Sequence, residues 1–316
     1  MTLIHLGRTF ALPHDTPFTY AVALAAGVGR RDLRELLEAG VLRRLLRGVY
    51  AAAALPDTQL LRARAIRLVV PDGFVVTDES AGWLAGAPMI LRPGSHLEVP
   101  PLKVFATGPH DRLRNELADS GTRRLLPRDV TDVHGVRVTT PLRTFLDLGR
   151  LLHRDRAIGA LDQLLALDAF DHEEVYPEIV RFKGMRGVVQ LRQLAPLADP
   201  RSESPPEATL RLRFRQGGLP TPVPQVDIFD EHGRFLGRGD LVVPHLMFLA
   251  EYDGDEFHDA AHAAHDEERR AAMRAAGWTI RVIRKEHLFG QHQEVIAMLW
   301  SGVHEAERRQ SGRRLG

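Results

Sequence analysis

Cysteine is absent from this 316-residue chain, which excludes disulfides and thiolate zinc centres and suits a reducing, cytoplasmic setting. No apolar run approaches the length needed to span a bilayer. The opening MTLIHLGRTFALPHD also lacks the uninterrupted apolar core of a signal peptide, so no membrane partner is expected. A Gly-rich phosphate loop, a Ser-His-Asp arrangement, a nucleotide-binding fingerprint and a His-Glu-x-x-His zinc motif are all missing, as is any internal repeat. Net charge is nearly absent too, since 42 Lys and Arg face 41 Asp and Glu. What remains, 44% hydrophobic and 26% charged residues, is the composition of an ordinary globular protein long enough for two or three domains.

The near-zero total conceals an uneven layout. Arg30, Arg31, Arg34, Arg43, Arg44 and Arg47 crowd one short stretch against Asp32, Glu35 and Glu38, and a second basic zone runs from Arg112 to Arg156. Residues Glu251 to Glu268 are by contrast strongly acidic. The basic residues are nearly all arginine, a bias that a GC-rich genome would also produce. Segregated charge of this kind implies distinct surfaces and leaves nucleic acid open as a partner.

The first region, 1–55, reads as a small DNA-binding unit. Tyr20 to Ala26 is a short helix, Gly27-Val28-Gly29 a turn, and Arg30 to Ala39 a second helix with Leu33, Leu36 and Leu37 at helical spacing. Gly40 stands where a left-handed cap ends such a helix. Val41 to Ala53 then alternates apolar and basic residues like a β-hairpin wing. Helix, turn, helix and wing together make a winged helix-turn-helix, with Arg30, Arg31 and Arg34 facing a DNA groove and Arg43, Arg44 and Arg47 on phosphates. An amphipathic helical hairpin with a solvated basic face would carry the same pattern.

The middle region, 56–199, is α/β, with helices over Leu60–Val70, from Ser80, from Pro141 to Gly149 and over Arg156–Ala169. Short strands are expected near Leu97–Val99, Val104–Ala106 and Gly135–Thr139. Trp83 and Phe145 read as core. Residues 196–206, PLADPRSESPP, have linker composition. Beyond them, in region 200–316, the predicted order is helix, three strands, helix, strand, helix: Ser204-Pro-Pro-Glu207 opens the first helix, strands follow near Pro224–Phe229, Arg238–Val243 and Leu246–Tyr252, a helix covers Asp259–Ala276, Trp278–Arg284 is a strand and Glu286–Trp300 a closing helix. The fold class is therefore multi-domain α/β, ending in a mixed sheet flanked by helices.

The densest chemistry lies in GDLVVPHLMFLAEYDG, Gly239 to Gly254. Pro244-His245 breaks its apolar run, which suits a hairpin in which Val243 faces Leu246 and Asp240 faces Leu249. Glu251 then lies diagonally from Asp240 on the same face, roughly 7–8 Å away, with Asp253 two residues on. A longer loop about the same point keeps that parity. Carboxylates gathered on one face need a cation, and oxygen donors of this kind suit Mg²⁺ or Mn²⁺; acids at strand ends are also commonly just solvated.

The pieces SPPEATLRLRF, PQVDIF, GDLVVP, FLAEYDGDEFH and HDEERRAAMRAAGWTIRVIR resemble, in order and spacing, the PD-(D/E)XK restriction-endonuclease-like fold, and within it the small bacterial family related to very-short-patch-repair endonucleases. Val22–Val28, Leu45–Tyr50 and Val136–Arg150 resemble segments of the AbiEi-type antitoxin and transcription-regulator family. The first resemblance implies a metal-dependent endonuclease that hydrolyses phosphodiester bonds. In it Asp240 and Glu251 hold Mg²⁺ or Mn²⁺, Asp253 is a third carboxylate or base partner, Glu207 approaches from the first helix, and His258 sits near metal or phosphate. Asp253 stands where the wider superfamily often has Lys, and Arg270 could substitute for that cation. Cleavage of both strands would call for a homodimer or two events. The second resemblance implies a DNA-binding regulator with a toxin or defence-system partner, retaining the nuclease fold without its activity.

Several residues admit two readings from sequence. Glu207 is placed equally well to cap its own helix through Ser204. Gln225 could contact a metal-bound water or complete a strand. His258, His262 and His265 share helical spacing, but without a zinc motif solvated histidines fit better. Asp266, Arg269 and Arg270 could line a DNA-facing side or form an ion-paired helix face.

Overall fold

The computed structural model describes residues 3–5, 8–91, 99–108, 113, 117–254 and 260–315. It divides into two compact units, Met1–Met89 with Leu97–Asp147, and Ile90–His96 with Leu148–Gly316. These units have no boundary at residue 55 or in the 196–206 stretch, where the sequence suggested the limits of its three regions.

In the first unit, β1 (Leu3–His5) pairs antiparallel with β2 (Arg8–Phe10). Then come β3 (Phe18–Thr19), α1 (Tyr20–Ala25), α2 (Arg30–Glu38), β4 (Leu42–Leu46) and β5 (Val49–Ala52), with a sheet in the order β3-β5-β4. The local causes are those the residue types suggest. Thr19 Oγ1 accepts the Val22 N–H at the start of α1, and the Asp32 carboxylate accepts the Gly29 N–H at the start of α2. Gly40 ends α2 in the left-handed conformation, φ +67°. Phe18, Ala23, Val28, Leu33, Leu36 and Leu42 are buried together, so the two helices and the hairpin share one small core.

The same unit continues with α3 (Gln59–Arg67), β6 (Phe74–Val76), α4 (Asp78–Leu84), β7 (Lys103–Ala106), β8 (Asp119–Thr122), β9 (Val130–Val133), β10 (Val136–Thr139) and the start of α5 (Pro141–Leu151). The mixed five-stranded sheet runs β8-β7-β6-β10-β9. Of the strands expected here, β7 and β10 are present. Val99 is in no strand, and residues 97 and 98 lie outside the described residues. Phe145 is fully buried and Trp83 packs against the core, as expected. Buried charges are tied by arginine: Arg123 donates to both oxygens of Asp78 (2.6 and 3.0 Å) and to Asp147, and Arg143 donates to Asp129 and Asp147.

In the second unit, α6 (Arg154–Leu165), α7 (Val175–Ile179) and α8 (Val188–Leu194) precede α9 (Pro205–Gln216), β11 (Val223–Phe229), β12 (Phe235–Val243), β13 (Phe248–Asp253), α10 (Ala260–Ala275), β14 (Thr279–Arg284), α11 (Lys285–Phe289) and α12 (His292–Leu315). The helix-strand-strand-strand-helix-strand order is the expected one, with the closing helix divided in two. The sheet order is β11-β12-β13-β14; the first three strands are antiparallel and β13/β14 parallel.

Alternation along β12 and β13 sorts side chains into two layers. Leu241, Val243, Phe248 and Ala250 pack with Phe214 of α9 and Leu299 and Val303 of α12. Val242 and Leu249 turn the other way and pack with Met273 of α10. The β12–β13 register is Leu241↔Ala250, Val242↔Leu249 and Val243↔Phe248. It is shifted by two residues from the expected pairing, because Pro244–Leu246 forms a 3₁₀ turn and Met247 takes a left-handed conformation at φ +49°. The parity survives. One step beyond the ladder, Asp240 stands opposite Glu251 instead of diagonal to it, and both belong to the face that α10 covers.

The 196–206 stretch is stapled into this unit. The Asp199 N–H donates to Asp162, and Arg211 donates to both oxygens of Asp162 at 2.7 Å and to Ser202 Oγ. Arg213, fully buried, holds Asp155 of α6 in the same two-pronged way. Linker composition here coincides with a packed seam between α6 and α9. Arg211→Met should cost about 3–5 kcal/mol of stability by leaving Asp162 buried without its cation, and adding Asp162→Leu should recover part of the loss. The midpoint of chemical denaturation measures both.

Candidate functional site

Two clusters bear on function, one in each unit. In the first unit, Arg30, Arg34, Arg44 and Arg47 converge with Tyr20, Tyr50, Leu33, Leu37 and Gly48 on a cleft of ≈ 540 Å³ between α2 and the β4–β5 hairpin. Helical spacing puts Arg30 and Arg34 one turn apart on α2. Strand alternation puts Arg44 beside Tyr50, its cross-strand partner. The Gly48 turn, φ +78°, brings Arg47 to the same mouth. The Arg30 guanidinium lies 5.8 Å from the Tyr20 ring centroid, a cation–π distance.

The other two arginines of the expected set do not line this cleft. Arg31 pairs with Glu35 along the helix, and Arg43 is tied to Asp57 and the Leu55 carbonyl, so it braces the hairpin. The tyrosines were not anticipated. The alternation that placed Arg44 in the wing implied Tyr50 as its neighbour and was the available signal.

In the second unit, Asp240, Glu251, Asp253 and Glu207 come from β12, β13 and α9, as expected from the order of elements. Their partners differ from the expected metal. Glu251, with a side chain only 3% exposed, accepts from Arg269 Nη1 through Oε1 (2.9 Å) and from Arg270 Nε through Oε2 (2.7 Å). Arg270 Nη2 is also 3.7 Å from Asp253. Burial alone would lower the Arg270 pKa, but the bond and charge of Glu251 outweigh it and raise it above the usual guanidinium value.

Glu207 accepts from the Glu203 N–H, the Ser204 hydroxyl and Gln225 Nε2. Its capping position is thus filled, and a link to β11 is added. Gln225 reaches it from a left-handed backbone, φ +52°, a conformation that costs a non-glycine residue about 1–3 kcal/mol. Asp240 accepts the Tyr252 N–H at 2.9 Å. Its carboxyl is pushed up to about 7, first by burial, then by the neighbouring Glu207 carboxylate and also by Glu251; the Tyr252 bond and Arg269 act in the opposite direction.

This donor set does not fit a resident divalent ion as it stands. Both Glu251 oxygens are bonded to guanidinium groups. Among the described residues, no three His, Asp or Glu side chains come together as a ligand set. His258 lies outside the described residues, and His265 is exposed on α10. Arg270, expected on a DNA-facing side or as a substitute cation, is turned to Glu251 and Asp253.

Residues 14–53, which build the arginine cleft, match a family model described as "Transcriptional regulator, AbiEi antitoxin". Residues 73–197 match another, "AbiEi antitoxin C-terminal domain". Both matches are to AbiEi antitoxin domains. Two curated relatives, uncharacterized proteins from two strains of Mycobacterium tuberculosis, are each 36% identical over 149 residues, which is 47% of this chain and 55% of theirs. The chain thus spans about half the length of the relatives it matches. Among the described residues, no helix is long and apolar enough to cross a membrane.

The raised Asp240 carboxyl makes a signed prediction. A group whose folded pKa lies above its unfolded value contributes stability at low pH that is lost as pH rises toward the folded pKa. Wild type should therefore lose stability relative to Asp240→Asn between pH 5 and pH 8, by on the order of 2 kcal/mol at 1.36 kcal/mol per pKa unit. Parallel urea titrations of the two proteins at both pH values measure the difference.

Proposed function

We propose that this chain is a DNA-binding regulator of the AbiEi antitoxin kind, gripping duplex DNA through the α2–hairpin cleft and working with a toxin partner. The observation that carries this reading is the convergence of Arg30, Arg34, Arg44 and Arg47 on one cleft within the segment that matches the regulator model. Four guanidinium groups on one concave surface are the kind of donors that contact phosphates and supply sequence-independent affinity. Tyr20 and Tyr50 add flat, hydrogen-bonding walls.

The arginine set tests this reading. Arg30→Ala, Arg34→Ala, Arg44→Ala and Arg47→Ala should each weaken binding to duplex DNA and flatten the plot of log affinity against log salt by about 1 unit. Arg31→Ala should leave the slope unchanged. Fluorescence anisotropy over a salt series reads both, and equal slopes for all five variants would sink the cleft as the DNA-contacting surface.

A second reading, a metal-dependent endonuclease, has one observation in its favour: Asp240 is crowded by the carboxylates of Glu207 and Glu251, a surplus of negative charge of the kind a cation relieves. Under the regulator reading, plasmid DNA incubated with Mg²⁺ or Mn²⁺ stays intact with wild type. Nicking that Asp240→Ala and Glu251→Ala both abolish would establish the enzyme instead.

A further inference from the structure

The seat of Arg269 is built into the sheet. To reach Glu251, its side chain crosses β12 at Gly237, where a Cβ would lie 2.8 Å from Arg269 Cδ and 2.7 Å from Met273 Cε. Gly237 sits at φ +147°, a backbone that side chains rarely adopt. The guanidinium is then held on two sides, by Glu251 and by the Arg238 carbonyl at 3.2 Å. Arg270 follows on the next residue of α10 and takes the remaining Glu251 oxygen. Both arginines are half-buried, with side chains 22% and 13% exposed.

We propose that Arg269 and Arg270 are the resident counter-cation of the Glu251 and Asp253 face, occupying the place a divalent ion would take. The C-terminal sheet then folds and holds α10 without metal. Two guanidinium groups carry the same formal charge as one Mg²⁺ or Mn²⁺. They meet both oxygens of the carboxylate with directed N–H donors and place positive charge where a metal ion would have to approach. Pairing with arginine therefore competes with ligation of metal at Glu251. The inference goes beyond the DNA-binding reading and does not depend on it, since the residues involved are far from the arginine cleft in sequence and the readout uses no DNA.

The test is Mn²⁺ binding by the full chain, followed by calorimetry and by thermal unfolding in Mn²⁺ against EDTA. Wild type should show no heat of binding and no shift in Tm. Arg269→Gln/Arg270→Gln should be less stable in EDTA and should bind Mn²⁺ at least about tenfold more tightly than wild type, with a matching rise in Tm. Adding Glu251→Gln should abolish that gain. A folded double variant that binds no more Mn²⁺ than wild type would overturn the proposal, because arginine would not be what keeps the cation out. Should the double variant fail to fold, wild type and Glu251→Gln suffice. The proposal expects neither to respond to Mn²⁺, and a wild-type response that Glu251→Gln removes would show that metal displaces the arginines.

Discussion

A carboxylate buried in protein must find a cation or hydrogen-bond donors or give up its charge, and among the described residues arginine meets most of that demand, with Lys103 serving Glu79 and neutral donors serving Glu207. Asp78 and Asp147 meet Arg123, Asp129 meets Arg143, Asp162 meets Arg211, Asp155 meets Arg213, and Glu251 meets Arg269 with Arg270. The planar guanidinium fork suits this work, since it can engage both oxygens of one carboxylate and stays charged when desolvated. In the second unit these ties join helices to their neighbours, with α9 fastened to α6 twice and α10 fastened to the sheet through Glu251. Base composition alone would explain a bias toward arginine. The geometry shows that the bias is put to use.

The same residue type also stands in a second kind of setting. Arg30, Arg34 and Arg44 are exposed around a cleft instead of buried against acids. Sequence spacing could not separate these two settings, because an arginine paired with a buried acid and an arginine exposed at a cleft look alike in the sequence. Arg43 illustrates the limit. It alternates with its neighbours as a wing residue should, but Asp57, fourteen positions away, turns it into a brace.

Legibility followed the strength of local periodicity. The two N-terminal helices, the wing and the whole order of elements from α9 to β14 were readable, because each has a cap, a glycine stop or a clean apolar alternation. The strands β6, β8 and β9 were not. They are three or four residues long, and Asp119–Thr122 reads as a turn by composition, so only pairing with neighbours makes it a strand. The acids of the C-terminal cluster were readable from strand parity, which a two-residue shift of register left intact. Arg270 was named as a possible cation for this cluster, but its pairing and that of Arg269 with Glu251 were not readable, because both arrive from a helix eighteen and nineteen residues later. The 196–206 stretch has the residues of a linker and the contacts of a seam, since the ties that hold it come from Asp162, distant in sequence.

The parallel pairing of β13 with β14 has a bearing on how the second unit assembles. β11, β12 and β13 can join through short turns, so their ladders close over small loops at little entropic cost. β14 reaches β13 only after the chain has run through all of α10 and returned, a longer closure that must precede any gain from pairing. The helix that carries Arg269 and Arg270 is itself that connection. Neutralisation of Glu251 and completion of the sheet both depend on that one connection, and without β14 the strand bearing Glu251 and Asp253 would be an open edge.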